Sequence, residues 1–257
     1  LLAVPAHGWV QGFWYRQSAF DDAGLSAPTT WDAILEAAET LHDPDNNEYG
    51  IVVGSDETPF ARQCFTPYAR SNGARVLNAD GEIVFDSQEM IEALDFYGSL
   101  AQYSPPGADT FETANNTYLN EQCHMIMYSS YIMGDIASNT DDMAANTSFA
   151  PYVERERRSS FGQLVLFNIL DSASDADRET AEAFVEHVLT GDQYVDFLHM
   201  APGGMNPVLS STAQSEAYRD NETLQAWGQD TLEDISGAFD NIERFGYVDG
   251  QMIPAFG

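Results

Sequence analysis

Short apolar runs alternate with amphipathic segments of helical period along the whole chain, and this alternation restricts the fold more than any other sequence feature. Segment 27–44 carries apolar residues at helical spacing behind a threonine N-cap, Thr29 or Thr30, and segment 49–55 predicts a short buried strand. The same reasoning predicts helices at 59–71, 88–103, 113–122, 175–190 and 192–200, strands at 124–130, 148–153 and 163–170, and a hairpin turn at Asp80-Gly81. With a last helix at 216–235, the alternation predicts an α/β protein with a largely parallel sheet.

The charge balance is the second constraint. The chain carries 41 Asp and Glu residues against 10 basic residues, all of them arginine, for a formal net charge of −31. A surface of this sign repels phosphate groups, so we expect no nucleic-acid partner. The acidic residues are dispersed over most predicted helices, and a compact body of this charge needs salt to screen its self-repulsion. We therefore expect a halophilic protein from a haloarchaeon. The alternative, an acidic calcium-binding surface, predicts clustered Asp and Asn loops instead.

The first segment of the chain is apolar and rich in aromatic residues, which is unusual for a free terminus. It predicts a strand that enters a loop at 7–11, as if the chain began inside a larger fold. The loop "HGWVQ" offers His7, Trp9 and Gln11, and Trp9 is equally compatible with a cleft and with packing. The aromatic run 13–15 alternates in direction and is predicted to be strand packing.

Enzyme and metal motifs are absent from the sequence. The five histidines form no HxH or HExxH pattern, and no CxxC, GxSxG or P-loop occurs. With 41 acidic residues, the spacing of carboxylates carries no signal for a glycoside hydrolase. Cys64 and Cys123 permit either one disulfide or two buried free thiols, and both alternatives stay open. We expect no catalysis, no cofactor and no metal site.

Six segments carry a family resemblance through their order and spacing. They are "VPAHGWVQGFWYRQSAFDDAGLSAPTTWDAILEAAETL", "YARSNGARVLNADGEIVFDSQEMIEALDFY", "YLNEQCHMIMYSSYIMGDI", "SSFGQLVLFNI", "AEAFVEHVLTGDQYVDFL" and "GGMNPVLSS". Together they resemble the maltose-binding-protein-like family of extracellular solute-binding proteins, which serve bacterial and archaeal sugar ABC transporters. The resemblance extends over nearly the whole chain.

The resemblance implies the type II periplasmic-binding-protein fold, an α/β architecture of two lobes joined by hinge strands. It assigns residues 1–157 to the first part of the second lobe and 158–204 to a returning segment of the first lobe. Residues 205–257 are assigned to the closing helices of the second lobe. The chain is thus expected to be a fragment that lacks most of the first lobe.

The resemblance also implies a function. It predicts a monomeric receptor of an ABC importer that binds a sugar or oligosaccharide between its lobes and delivers it to membrane permease subunits. The localisation that it implies is extracellular, with the full-length protein anchored to the outer face of the cell membrane. Two further hypotheses stay open, namely a secreted carbohydrate-active enzyme and a sensor domain that uses the same fold without transport.

Sugar recognition needs aromatic faces for C–H patches and planar polar groups for hydroxyls. The expected ligand-binding residues are His7, Trp9, Phe60, Gln63, Ser129, Ser130, Tyr131, Phe161, Gly162 and Arg158. Tyr131 stands in the family's Gly-Pro-Trp motif, where it keeps a stacking face. Phe161 and Gly162 replace a Gly-Gly pair that lets backbone approach the solute. Phe60 and Gln63 share one helical face, and a core position for Phe60 is equally compatible with the pattern.

Three arginines cluster in the segment "VERERRSS". Arg155, Arg157 or Arg158 is able to hold an anionic solute of the glycerol-3-phosphate type, which defines an alternative receptor of the same family. The expectation that we favour is local neutralisation of Glu154 and Glu156 on a solvated loop. The two hypotheses differ in whether these arginines face the cleft.

Overall fold

The computed structural model describes residues 3–140 and 142–243, and its central element is the long strand β1 (Ala3–Arg16). The other strands are β2 (Met125–Ser129), β3 (Thr147–Ala150), β4 (Val153–Glu154), β5 (Arg158–Ser159) and β6 (Phe161–Asn168). β1 pairs with β2 along one edge, and with β6 and then β3 along the other edge. β4 and β5 form a separate hairpin. The end of the predicted closing segment, 244–257, lies outside the described residues.

Helices surround this sheet. They are α1 (Gln17–Ala23), α2 (Trp31–Thr40), α3 (Pro59–Ser71), α4 (Gln88–Leu100), α5 (Phe111–Leu119), α6 (Met133–Asn139), α7 (Asp175–Val188), α8 (Gly191–Leu198), α9 (Ser210–Ala213), α10 (Glu216–Arg219), α11 (Glu222–Gln225) and α12 (Gln229–Ala238). The Thr30 side chain accepts a hydrogen bond from the backbone N–H of Ala33, and Ser87 caps α4 in the same way. Thr30, one of the two predicted caps of α2, is thus confirmed, because its hydroxyl satisfies an amide that has no partner within the helix.

The prediction of a largely parallel sheet is wrong for the described residues. Every pairing between named strands is antiparallel. Parallel pairing occurs as isolated bridges, as between Tyr49 and Cys123 and between Val52 and Ile126, so the predicted strand 49–55 is buried but forms no continuous ladder. The alternation of helices and apolar runs indicates that the chain crosses over between runs, but not in which direction it returns, because strand direction depends on the tertiary path.

The prediction of one closing helix at 216–235 is also wrong. The segment contains α10, α11 and α12, and the breaks fall at Asp220-Asn221 and at Gly228. The Asn221 side chain accepts hydrogen bonds from the backbone N–H groups of Thr223 and Leu224, so it begins a new helix rather than continuing the preceding one. The predicted turn at Asp80-Gly81 is present, with Gly81 at φ +80° beside an antiparallel bridge between Leu77 and Ile83.

Aromatic packing covers both faces of β1. On one face the ring of Trp14 lies 4.6 Å from Phe149 and 5.4 Å from Trp227, measured between centroids. On the other face Phe13 packs edge-to-face against Tyr68 of α3 at 6.3 Å. Since Phe13 and Trp14 are completely buried, the prediction that residues 13–15 pack as a strand is confirmed. Offset and edge-on rings are the favoured arrangements for such contacts.

The two cysteines are buried free thiols. Cys64 lies in α3, whereas Cys123 precedes β2 and its backbone forms an isolated parallel β-bridge with Tyr49. Of the two alternatives that the sequence leaves open, the structure has the free thiols.

One region of the described chain leaves apolar side chains uncovered. Along β6 the burial alternates after Gly162, and Leu164 and Leu166 are exposed. Helix α7 buries none of its residues, and its Phe184 is 57% exposed. Leu164 and Leu166 lie on one face of β6, and Phe184 packs beside Phe167 on the other face, so apolar side chains reach solvent on both faces of this strand.

Candidate functional site

The strand β1 places three predicted binding segments in one row across the sheet. Gln11 of β1 is paired with Ser129 of β2 on one side and with Phe161 of β6 on the other. Side chains directly opposite each other in a sheet lie on the same face and within reach of one another. The sheet therefore joins three segments that are far apart in the sequence.

Trp9 belongs to this strand and not to a loop. The predicted loop 7–11 is extended, because its backbone pairs with β6 from Val165 to Phe161 and Gly8 exchanges hydrogen bonds with Asn206 at 2.9 and 2.8 Å. The loop prediction is thus wrong: the polar and small residues of "HGWVQ" indicated a turn, but tertiary pairing on both edges holds them straight. The Trp9 ring lies 5.6 Å from the Phe161 ring, and Trp9 stays partly exposed.

Tyr131 stands where β2 ends, in the short 3₁₀ turn Ser130–Ile132. Its ring lies against Gly204, where an added Cβ atom would come within 2.5 Å of the ring atom Cδ1. Asn206 fixes the same loop, because its Nδ2 donates to Gly203 O at 2.7 Å and to Ser130 Oγ at 3.3 Å. Tyr131 is 41% exposed, so one part of the ring rests on glycine backbone while the rest stays available to a solute.

Gly162 has a packing role in the structure. An added Cβ atom would lie 2.5 Å from Ile242 Cδ1 and 2.8 Å from the carbonyl oxygen of Trp9. The absence of a side chain at Gly162 thus lets the Ile242 side chain and the backbone of β1 pack closely against β6. The direct contact with solute that the family motif implies stays a prediction.

Helix α3 brings Phe60 and Gln63 to the same side of β1. Phe60 is buried, its ring lies 5.9 Å from that of Tyr128, and it contacts Gly54, so it occupies the core position that the sequence left open. Gln63 is partly exposed one turn further along the helix. The helix reaches β1 through Cys64, whose Sγ accepts a hydrogen bond from Gln11 Nε2 at 3.3 Å.

The environment of Cys64 is dry. Its thiol donates to the carbonyl oxygen of Met127 at 3.6 Å, and burial raises the pKa of this thiol well above its usual range. Gln11, which the sequence analysis placed in the loop 7–11 but not among the expected binding residues, is thus held from α3 at the centre of the row. Alternation along β1 is the signal that places Gln11 on the same face as Trp9.

His7 and Arg158 lie apart from this group. His7 is buried, its ring lies 6.0 Å from Phe197 of α8, and burial lowers its pKa, which favours the neutral imidazole. Arg158 donates to Glu154 at 3.1 Å and lies over the ring of Tyr152 at 4.4 Å. By the register of β1, His7 shares a face with Trp9 and Gln11 but packs against α8, whereas Arg158 belongs to the β4–β5 hairpin. Their roles as ligand residues stay predictions.

The other arginines of the cluster are also paired with carboxylates. Arg155 lies 3.6 Å from Glu92, and Arg157 lies 3.2 Å from Glu243. Arg155 also covers the ring of Trp31 at 4.2 Å. The local neutralisation that the sequence analysis favoured is thus confirmed for Arg158 with Glu154 only, because Arg155 and Arg157 pair with carboxylates from distant segments.

Several buried polar side-chain atoms have no hydrogen-bond partner among residues 3–140 and 142–243, and two acceptor groups are among them. They are Oε1 of Gln11 and both carboxylate oxygens of Asp56, and all three atoms are inaccessible to solvent. The same part of the chain contains no group of three His, Cys, Asp or Glu side chains arranged to hold a metal ion. It also contains no helix long and apolar enough to cross a membrane.

Comparison with solved structures identifies the fold. An ABC transporter solute-binding protein from Thermotoga lettingae TMO, whose structure contains bound alpha-D-tagatose, superimposes with a TM-score of 0.77 at 22% identity. The match covers 95% of this chain and 62% of that protein. The predicted type II periplasmic-binding-protein fold is thus confirmed.

Sequence comparison identifies the family. The family model described as bacterial extracellular solute-binding protein matches residues 2–194, and the chain belongs to this family. The putative ABC transporter periplasmic-binding protein YcjN of Escherichia coli strain K12 is 32% identical over 95% of the chain. The mannitol-binding protein of Pseudomonas aeruginosa PAO1 is 28% identical over 85% of it. The chain spans 56% and 52% of the lengths of these two relatives.

Proposed function

We propose that this chain is part of the extracellular receptor of an ABC importer and that it binds a sugar or a polyol. The observation that carries the proposal is the row Ser129–Gln11–Phe161, flanked by the partly exposed rings of Trp9 and Tyr131. Aromatic faces beside planar polar groups match the chemistry of sugars, whose C–H patches stack and whose hydroxyls form hydrogen bonds. The tagatose-bound and mannitol-binding relatives support the same solute class.

We further propose the lobe assignment that the resemblance implied. Residues 1–157 and 205–257 belong to one lobe, and 158–204 belongs to the lobe that the rest of the protein completes. The uncovered side chains of Leu164, Leu166 and Phe184 support this assignment, because β6 and α7 lie within that returning segment. The receptor acts as a monomer anchored to the outer face of the membrane and delivers its solute to the permease.

Two alternatives are less well supported. A receptor for glycerol-3-phosphate needs an available cation, whereas Arg158 is already paired with Glu154. A carbohydrate-active enzyme needs a catalytic carboxylate pair, and no described feature singles one out. Turnover of sugar polymers, measured on the same sample as binding, would establish the enzyme and overturn the receptor proposal.

The test is ligand binding by the protein expressed with its natural flanking sequence, in molar salt. Thermal unfolding is measured against mannitol, tagatose, maltose and glycerol-3-phosphate. A ligand that binds the folded state at 100 times its dissociation constant adds about 2.7 kcal/mol to the free energy of unfolding, which shifts the midpoint measurably. A shift with a sugar or polyol supports the proposal, and a folded sample that none of these solutes stabilises contradicts it.

A variant pair then locates the site. Tyr131→Ala is expected to weaken sugar binding about two- to tenfold, because it removes an aromatic face worth about 0.5–1.5 kcal/mol. Phe111→Ala is the matched control, since Phe111 is a 48% exposed aromatic residue at the start of α5. Equal affinities for the two variants would place the solute elsewhere.

A further inference from the structure

Three Asn-x-Ser/Thr sequons occur in the chain, and the structure places them in three different environments. They begin at Asn115, Asn146 and Asn221. This motif is the acceptor of N-linked glycans in proteins that leave the cytoplasm, and the attached glycan is bulky and needs an open surface. The family to which the chain belongs is extracellular, so the accessibility of each asparagine amide decides which sequon is suited to modification.

The sequon 146–148 is tied to helix α1. The Asn146 side chain donates from Nδ2 to Ser18 Oγ at 2.9 Å and accepts at Oδ1 from the Ser18 backbone N–H at 2.9 Å. Ser148, the hydroxyl residue of this sequon, lies in β3 and donates to Gln17 Oε1 at 2.8 Å. Both polar side chains of the motif thus hold β3 against α1.

The sequon 115–117 lies within the helix α5. Asn115 donates from Nδ2 to Asp135 at 3.0 Å, and its Oδ1 is inaccessible to solvent. The Thr117 hydroxyl donates to the carbonyl oxygen of Thr113 at 2.7 Å. A glycan on Asn115 would have to displace the contact between α5 and α6.

The sequon 221–223 differs from both, because it lies in the break between α10 and α11. Asn221 accepts at Oδ1 from the backbone N–H groups of Thr223 at 3.0 Å and Leu224 at 3.4 Å. Its Nδ2 has no hydrogen-bond partner in the ranges 3–140 and 142–243 and is accessible to solvent, and the same is true of the Thr223 hydroxyl. Asp220 and Glu222 on either side are exposed.

We propose that Asn221 is a site of N-linked glycosylation. In this reaction Nδ2 forms a bond to the anomeric carbon of a lipid-linked sugar phosphate, and the bond between that carbon and the phosphate oxygen breaks. The lipid phosphate leaves with the electron pair, and one Nδ2 proton passes to a base of the transferase. The product keeps Oδ1 on its two backbone donors, so the fold accommodates the modified side chain without losing a contact. The site is independent of the solute that the receptor binds.

The positions of the arginines allow a direct test by mass spectrometry. The chain has no lysine, so trypsin cuts it only after arginine, and Asn221 falls in the peptide 220–244. Asn115 and Asn146 fall together in the peptide 76–155. The protein is produced with its natural flanking sequence in a salt-requiring host that attaches N-linked glycans to its own surface proteins. We expect a glycan mass on peptide 220–244 and an unmodified peptide 76–155.

A matched pair of variants at Thr223 assigns the modified residue. Thr223→Val destroys the sequon but keeps the backbone N–H that Asn221 accepts from, so the fold and the unfolding midpoint are retained while the glycan mass is lost. Thr223→Ser keeps the sequon and retains the glycan.

Three results would overturn the proposal. Peptide 220–244 is then found only at its unmodified mass, although the host glycosylates its other surface proteins. Alternatively, a glycan is found on peptide 76–155, which would refute the choice of Asn221 by accessibility. Finally, a glycan mass on peptide 220–244 that persists in Thr223→Val would show attachment at another residue.

Discussion

Gly12→Ala tests how closely β1 must approach its neighbours to hold the site. An added Cβ atom at Gly12 would lie 2.4 Å from the carbonyl oxygen of Ala150 in β3 and 2.5 Å from Cζ of Phe149. Favourable contacts between carbon atoms lie near 3.5–4.0 Å, so β1 and β3 would have to separate. The backbone oxygen is fixed by strand pairing, and the Phe149 ring is held against Trp14 at 4.6 Å.

The magnitude follows from two opposing effects. Replacing glycine by alanine in a regular element stabilises a protein by about 0.5–1 kcal/mol through the entropy of the unfolded chain. Overpacking a tight core costs about 1–3 kcal/mol. At Gly12 the steric cost is the larger effect, so we expect the free energy of unfolding to fall by about 1–2 kcal/mol.

The control is Gly98→Ala in α4, where an added Cβ atom meets nothing within 4 Å. This variant is expected to gain about 0.5–1 kcal/mol, so the two glycines respond with opposite sign. Guanidinium unfolding in molar salt measures both values on the protein with its natural flanking sequence. If Gly12→Ala stabilised the protein as Gly98→Ala does, the close approach of β1 and β3 would be refuted, and with it the geometry of the row around Gln11.

Three further predictions concern the thiols, His7 and the surface charge. Cys64 and Cys123 are 1% and 0% exposed, and burial raises the pKa of Cys123 to about 12. A thiol reagent should therefore react with both cysteines only after unfolding, and reaction in the native state would contradict their burial. Burial lowers the pKa of His7 below 6.5, so the unfolded chain binds more protons and the free energy of unfolding falls as the pH drops below about 6.5. His7→Gln should remove this part of the pH dependence relative to the parent protein, whereas the exposed His187→Gln should keep it; two equal profiles would refute the assignment. The protein has a net charge of −31, and the Debye length falls from about 10 to 3 Å between 0.1 and 1 M salt. The unfolding midpoint should therefore rise steeply over this range, and a flat response would contradict the halophilic interpretation.

Local signals predicted α2, α3, α4, α5, α7 and α8, because caps act within one turn of the chain, but α1 and α6 were not predicted. Thr30 and Ser87 satisfy amides of their own helices, and no distant contact is required for this. The closing segment was predicted less well, because an apolar pattern of helical period continued across Asp220-Asn221. The Asn221 side chain competes for the backbone there, and periodicity alone does not register that competition.

The ligand-binding residues stay predictions, and the structure adds how some of them are arranged. Trp9 and Tyr131 were expected near a cleft, and they flank a common row, but the strand that aligns them was predicted to be a loop. The buried carboxylate of Asp56, which is not among those residues, carries no sequence signal, because one carboxylate among 41 acidic residues is not distinguishable by type or spacing. Its missing donors are visible only when every neighbour is in place.

The sequence by itself determined the family, the alternation of helices and apolar runs, and the charge of the surface, because these depend on residue type and on contacts within a few positions. Tertiary structure alone decided that β1 pairs antiparallel on both edges, that Ile242 fills the space beside Gly162, and that Arg158 is paired with Glu154. These outcomes depend on which distant segments meet. Strand direction and side-chain pairing are set by the packing of the whole chain, which local pattern does not encode.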